Sequence, residues 1–115
     1  MEMLNDAALI KVASYFKALS EPTRLKLLNA MRDGCKTVSE LKELTGCSQA
    51  NTSKHLAMLL EAGLVSRLQK GNQAIYSIAD ECTYELCDIV CGNVAKILQR
   101  DAVISAALQG INPNS

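Results

Sequence analysis

The stretch Thr37–Gly63, TVSELKELTGCSQANTSKHLAMLLEAG, holds two helix starts and two helix stops. Thr37 or Ser39 opens the first helix of this stretch, and Thr37 stands three residues before Glu40, the spacing of a capping box. Val38, Leu41 and Leu44 make one apolar stripe on a short helix, and Gly46 closes it. Ser48 caps the next helix, in which Ala50, Leu56, Leu59 and Leu60 are apolar and Gly63 is the stop. The start of this second helix is unusual. Gln49, Asn51, Thr52, Ser53, Lys54 and His55 form a run of hydrogen-bonding side chains.

Upstream, residues 6–18 place Ile10, Ala13, Phe16 and Lys17 at helical spacings, which predicts a first helix. Ser20 is a candidate N-cap for a second helix, with Pro22 in its first turn, where a missing N–H costs nothing. That helix should run to about Asp33, with Leu25, Leu28 and Met31 on its inner face and Gly34 ending it. Downstream, Leu64–Leu68 and Ala74–Ile78 alternate as two short strands around the turn residues Lys70, Gly71 and Asn72. Asp80 is a candidate cap for a long last helix. Its apolar positions Leu86, Val90, Val94 and Ile97 recur toward Leu108, before Gly110 and Pro113. The expected fold is mainly α with a small β-hairpin, in the order α-α-α-α-β-β-α. Residues 1–110 are expected to form one domain and 111–115 a flexible tail.

A chain of 115 residues fits one domain. It is 49% hydrophobic and 21% charged but only 3% aromatic, which suits a helical core of Leu, Ala, Val and Ile. No apolar run approaches the roughly 20 residues of a membrane span. The first residues carry acids where a secretory signal carries bases. The expectation is a cytoplasmic protein without a membrane partner. Five cysteines, an odd number, argue against a disulfide framework. The net charge is zero but unevenly spread. Residues 36–78 carry five basic and three acidic side chains, and residues 79–115 carry two basic and five acidic. One histidine and no readable nucleophile–base pair make an enzyme a poor reading.

Two short helices joined across Gly46, Cys47 and Ser48 match a helix-turn-helix, whose second helix lies in the DNA major groove. Gln49 and Asn51 can pair bidentately with adenine, and Ser48, Thr52 and Ser53 can accept or donate. Lys54 and His55 can reach phosphates. The hairpin would be a wing, with Arg67, Lys70 and Gln73 near the DNA backbone or minor groove. The bland alternative is a solvated helix start.

Three segments carry a family resemblance: Phe16–Gly34 (FKALSEPTRLKLLNAMRDG), Ser48–Ile78, and the long last helix. Their most specific parts are Leu-Ser-x-Pro-Thr-Arg at residues 19–24, Ser-x-His-Leu at 53–56 and Glu-Ala-Gly-Leu-Val at 61–65. Together they resemble the ArsR/SmtB family of bacterial winged-helix repressors, over residues ~12–100. The resemblance implies a symmetric homodimer with the first and last helices at its interface. It also implies a pseudo-palindromic double-stranded operator, released when an inducer reaches the dimer.

Family members sense at different places. The arsenite type has Cys-Val-Cys at the start of the third helix, where this chain reads Thr37-Val38-Ser39. The zinc or cobalt type has Asp-x-His and His-x-x-His on the last helix. Asp80 and Cys82 fall at the first pair, but Asn93 and Lys96 are poor ligands at the second. Sulfur remains: Cys35, Cys47, Cys82, Cys87 and Cys91. With Leu86 at 0° and about 100° per residue, Val90 falls near 40° and Cys87 near 100°, inside the apolar stripe. Cys91 falls near 140°, at its edge, while Cys82 falls near 320° and can lie outside the helix body. Cys87 and Cys91 lie one turn apart and can act as paired ligands, with Cys82 as a third; Cys35 and Cys47 are weaker candidates. Cys87 can equally be packing, since cysteine is among the most buried residue types. Thiol-only sites favour soft or thiophilic species such as As(III), antimonite, Cd(II), Pb(II) or Cu(I), with As(III) first. The alternative is a reactive-sulfur or oxidant switch that links two cysteines.

Overall fold

The computed structural model describes residues 3–110. The expected tail, residues 111–115, lies outside the described residues. The chain groups into two compact units, Met1–Glu81 and Cys82–Ser115. The first holds four helices and a small sheet: α1 (Asp6–Leu19), α2 (Pro22–Ala30), β1 (Lys36–Thr37), α3 (Val38–Thr45), α4 (Gln49–Glu61), β2 (Val65–Lys70) and β3 (Gln73–Ile78). The second is one long helix, α5 (Cys82–Leu108).

Caps set most of these boundaries. The Asn5 side chain accepts from the Ala8 N–H at 2.8 Å and opens α1. Ser20 ends α1 instead of starting α2, and its hydroxyl donates to the Lys17 carbonyl at 2.7 Å. Glu21 caps α2, accepting the Arg24 N–H at 3.1 Å, with Pro22 in the first turn as expected. A carboxylate reaches that N–H as a serine would, and its charge suits the positive end of the helix. Thr37 and Ser48 cap α3 and α4 as expected. At the end of α4 the Leu64 N–H donates to Leu59 O at 3.0 Å and the Gly63 N–H to Leu60 O at 3.1 Å. Gly63 has φ 81°, so this is a Schellman turn, with the buried pair Leu59 and Leu64 sealing it.

The core of the first unit is Leu27 and Leu28 from α2, Met31 at its C-cap, Leu41 from α3, Leu56 and Leu59 from α4, and Leu64, Val65 and Tyr76 around the sheet. Burying each leucine contributes roughly 1.5–3 kcal/mol. Two expected inner residues face outward: Leu25 is 42% exposed and Leu44 is 61% exposed. Leu27 takes the place given to Leu25, because α2 ends at Ala30 and its buried face lies along Arg24, Leu27 and Leu28.

The hairpin forms as expected, with β2 extended two residues and β3 one residue toward the loop, and β2 starting at Val65 instead of Leu64. β2 and β3 pair antiparallel from Val65↔Ile78 to Lys70↔Gln73, leaving Gly71 and Asn72 as a two-residue loop. Gly71 has φ 64°, at the first loop position, which a type II′ turn reserves for glycine. The sheet has a third strand that sequence reading missed. β1 pairs with β3 through Lys36↔Tyr76 and Thr37↔Ile75, giving the order β1-β3-β2. Two residues are too short to show alternation.

In the second unit, Cys82 is the first residue of α5, so it belongs to the helix body after all. Thr83, Tyr84 and Ala106 are buried. Ile89, Val90, Val94, Ile97, Leu98, Val103, Ile104 and Leu108 are exposed, an unusual apolar load for one helix. Among the described residues, no helix is long and apolar enough to cross a membrane.

Candidate nucleic-acid interface and cysteine positions

The polar start of α4 divides by helical phase. Gln49, Ser53 and Lys54 are exposed and Asn51 is half-buried. Gln49 and Ser53 are one turn apart and share a face. Ser48 is exposed too, but its hydroxyl already accepts the Asn51 N–H at 3.1 Å as the cap. Thr52 and His55 are placed differently. Thr52 is 0% exposed and His55 is 7% exposed. The Thr52 hydroxyl donates to Ser48 O at 2.8 Å, inside its own helix. Thr52, His55, Leu56 and Leu59 follow the spacing i, i+3, i+4, i+7, so the apolar stripe of α4 runs up into the polar segment. That spacing was readable in the sequence. It removes Thr52 and His55 from the outward-facing set, so phosphate contact by His55 does not fit its burial.

On the wing, Arg67, Lys70 and Gln73 are exposed. The Arg67 guanidinium Nη2 donates to Gln69 Oε1 at 2.8 Å, and Gln69 Nε2 donates to Gly71 O at 3.0 Å. Gln69, which carried no expectation, thus links the wing arginine to the loop. A strand with period two puts residues 67 and 69 on one face, which is the signal that could have found it.

Arg24 is the second residue that sequence reading left without a role. It is 8% exposed. Its Nε donates to Ala18 O at 2.7 Å and its Nη2 to Lys17 O at 3.2 Å, both in the last turn of α1. Its Nη1 lies 3.1 Å from His55 Nδ1 and 3.3 Å from Met58 Sδ, both on α4. Glu21 Oε2 is 3.9 Å from the same His55 nitrogen. Burial pushes the Glu21 carboxyl up, but the Arg24 N–H it accepts and the nearby guanidinium charge bring it below its usual range.

All five cysteines are thiols. Cys35, Cys82 and Cys91 are exposed, and Cys47 and Cys87 are half-buried. Cys47 sits directly before the Ser48 cap, with its N–H donating to Thr45 Oγ1 at 3.4 Å. Cys87 and Cys91 share a face of α5 one turn apart. Among the described residues, no three of His, Cys, Asp and Glu come together as a group that could hold a metal ion. A three-thiolate centre of Cys82, Cys87 and Cys91 is therefore not assembled within one chain.

Three helices, a capped polar helix start after a glycine turn, and a two-residue hairpin beyond it define a winged helix-turn-helix, an architecture that reads DNA. Residues 21–67 match the family model described as "Bacterial regulatory protein, arsR family". The chain is 43% identical over 68 residues to the "Probable mercury resistance operon repressor" of Streptomyces lividans, covering 59% of this chain and 54% of that protein. It is 35% identical over 85 residues to the "HTH-type transcriptional regulator NmtR" of Mycobacterium tuberculosis, covering 74% of this chain and 71% of the relative. The solution structure of a homodimeric winged helix-turn-helix DNA-binding domain from Mycobacterium bovis superposes with a TM-score of 0.74. That pair is 29% identical and covers 87% of this chain and 95% of the other. The chain belongs to the arsR family of bacterial regulatory proteins, a family of transcriptional regulators and not of enzymes.

Proposed function

We propose that the protein is a homodimeric repressor that binds a pseudo-palindromic operator in the cytoplasm and releases it when a thiophilic metal or metalloid binds its cysteines. Residues 1–110 would act as one functional domain, with α1 and α5 pairing two copies. One observation carries the DNA reading: the capped start of α4 presents Gln49, Ser53 and Lys54 outward on a helix whose other face is buried. Gln49 and Asn51 are suited to adenine edges, Ser48 and Ser53 to either base, and Lys54, Arg67, Lys70 and Gln73 to the backbone. The apolar residues exposed on α1 (Leu9, Ile10, Val12 and Phe16) and along α5 support dimerisation.

The inducer is the finer part of the proposal. Cys87 and Cys91 supply two soft donors one turn apart on the exposed apolar helix, and Cys82 lies on the same helix. A third donor has to come from movement, from Cys35 or Cys47, or from the second copy. Soft donors suit As(III) first, with Cd(II) or Pb(II) next. The Streptomyces relative is named for mercury, which belongs to the same thiophilic class. A second reading has its own support. Because no three donors gather among the described residues, a reactive-sulfur or oxidant link between two thiols needs less rearrangement than a three-coordinate ion. Titration with arsenite, Cd(II) and Pb(II), followed by thiolate-to-metal absorption and DNA release, tests the metal reading. Sulfur mass gained after polysulfide treatment, without metal-dependent absorption, favours the second.

A further inference from the structure

We infer that Arg24 is a positioning residue that ties the proposed reading helix to α1, and that His55 makes this tie sensitive to protons. The inference rests on the proposal that α4 reads DNA. A guanidinium has five donors and no acceptor. Arg24 spends them on two helices other than its own: the Lys17 and Ala18 carbonyls of α1, and His55 and Met58 of α4. The α1 carbonyls lie at a helix C-terminus, the negative end of its dipole, where a buried cation is held well. His55 and Met58 lie one turn apart on α4, His55 buried and Met58 at the surface, on the helix whose start carries the outward-facing Ser53 and Lys54. A shift of α1 is therefore passed through one side chain to the segment proposed to read bases.

The chemistry of the contact fixes the state of the imidazole. Arg24 can only donate, so His55 Nδ1 must accept at 3.1 Å, leaving a neutral ring with its proton on Nε2. A proton added at Nδ1 turns donor toward donor and brings two cations together. Glu21 Oε2, at 3.9 Å, is then the available acceptor. It currently accepts the Arg24 N–H as the cap of α2. The imidazolium would turn from Arg24 to Glu21, and the guanidinium would lose its hold on α4. Arg24 from α2 and Glu21 from the α2 cap are the charged groups against the ring nitrogen, and Lys11 and Lys17 of α1 and Glu61 of α4 line the same cavity as Arg24 and Met58. α1 offers carbonyl oxygens to the same guanidinium, and α4 offers the Met58 thioether. The sign follows from linkage: the tied state holds neutral His55, protons favour the released state, and specific DNA binding fades as pH falls. His55 is the chain's single histidine.

The test uses duplexes selected by the wild-type protein from a randomised library, with scrambled duplexes as the control. Affinity for both is measured at about pH 8 and about pH 5.5. The wild-type preference for selected duplex should fall about tenfold between them, the scale of a lost charge-assisted hydrogen bond. His55→Asn places an acceptor near the position of Nδ1 but does not titrate, so its preference should hold at both pH values. Arg24→Met and Arg24→Lys should show the lowered preference at both, since neither side chain spans two helices. A constant wild-type preference, or an equal fall in His55→Asn, overturns the inference. So does an Arg24→Met protein that melts early yet keeps the wild-type pH profile, which marks Arg24 as purely structural. Nitrogen NMR of the DNA-free protein gives an independent arm. At about pH 8 the ring should show an unprotonated Nδ1 whose signal moves in Arg24→Met, and a protonated Nδ1 overturns the tie. If no duplex is selected at all, the DNA reading and its coupling to His55 both fail, and the nitrogen signal alone decides the tie.

Discussion

Thr37 and Glu40 close α3 reciprocally: the Glu40 N–H donates to Thr37 Oγ1 at 3.2 Å, and the Thr37 N–H donates to Glu40 Oε1 at 3.0 Å. The Thr37 N–H and hydroxyl hold the Glu40 carboxyl below its ordinary range. A carboxylate favoured in this way stabilises the fold above its usual pKa, and that contribution is lost as pH falls through the lowered value. Asp33 behaves the same way, its carboxylate accepting from the Lys36 ammonium at 2.7 Å. Thr37→Ala should cost about 1 kcal/mol, the usual value of an N-cap. Glu40→Gln should flatten the acid side of the stability profile. Urea unfolding across the acid range, with wild type beside both variants, checks each direction.

Gln49 and Ser53 share the outward face at the start of α4. Replacing both by Ala should relax or abolish operator specificity, since a good bidentate base contact is worth about 1–3 kcal/mol. Lys70→Ala on the wing should weaken all sequences alike and lower the salt slope by about one. Anisotropy titrations at several salt concentrations separate the two effects. Wild-type selectivity in the double variant would remove α4 as the reading helix.

Thr52 lies between Asn51 and Ser53 in sequence but faces the core. Thr52→Val keeps the shape and loses the hydroxyl bond to Ser48 O. The expected loss is about 1 kcal/mol of stability, with base preference unchanged. A change in which duplexes are selected, at unchanged stability, would place Thr52 back among the reading residues.

Much of the fold was readable because each boundary has a local chemical cause. Thr37 with Glu40, Ser48, Gly46, Gly63 and the loop at Gly71 announce themselves by residue type and spacing. The misses have causes of a different range. Ser20 and Glu21 are adjacent and both can cap, and only the tertiary position of the α1 end decides between them. Leu25 and Leu44 satisfy the helical period yet fall outside the core, because period fixes a face only to within a residue or so on a two-turn helix. His55 reads as a phosphate ligand by type; its partner is Arg24, thirty-one positions earlier, and no local pattern shows a bond of that range. β1 exists only because β3 is there to pair with it.

Gly71 has φ 64°, a backbone setting that other residues adopt at a cost, although nothing crowds the place of a Cβ. Gly71→Ala should therefore destabilise through backbone strain alone, by about 1 kcal/mol. The loss should appear in the hairpin, as faster amide exchange at Lys70 and Gln73, more than in the helical core. DNA affinity should fall for all sequences together, because the wing is proposed to touch backbone. A variant with unchanged exchange in the hairpin would show that the loop tolerates the strain without moving.

Cys87→Ser and Cys91→Ser should each leave a folded, dimeric protein that still binds operator but no longer releases it on adding arsenite. An inducer releases DNA only through a difference in its affinity for the bound and released conformations. In the proposed mechanism that difference arises as thiolates are drawn together on α5, so losing one ligand removes the response and spares the reader. Packing by cysteine predicts the opposite: lowered stability with release intact. The two thiols should differ slightly even so. Cys87 is half-buried and Cys91 exposed, so any stability loss should be larger at Cys87. Cys82→Ser should match them if three thiolates of α5 bind the ion, and should do little if Cys35 or Cys47 supplies the third. Release titrations on all five single Cys→Ser variants, run beside thermal melts, distinguish these cases. Normal release in both the Cys87 and Cys91 variants would remove α5 as the sensing helix.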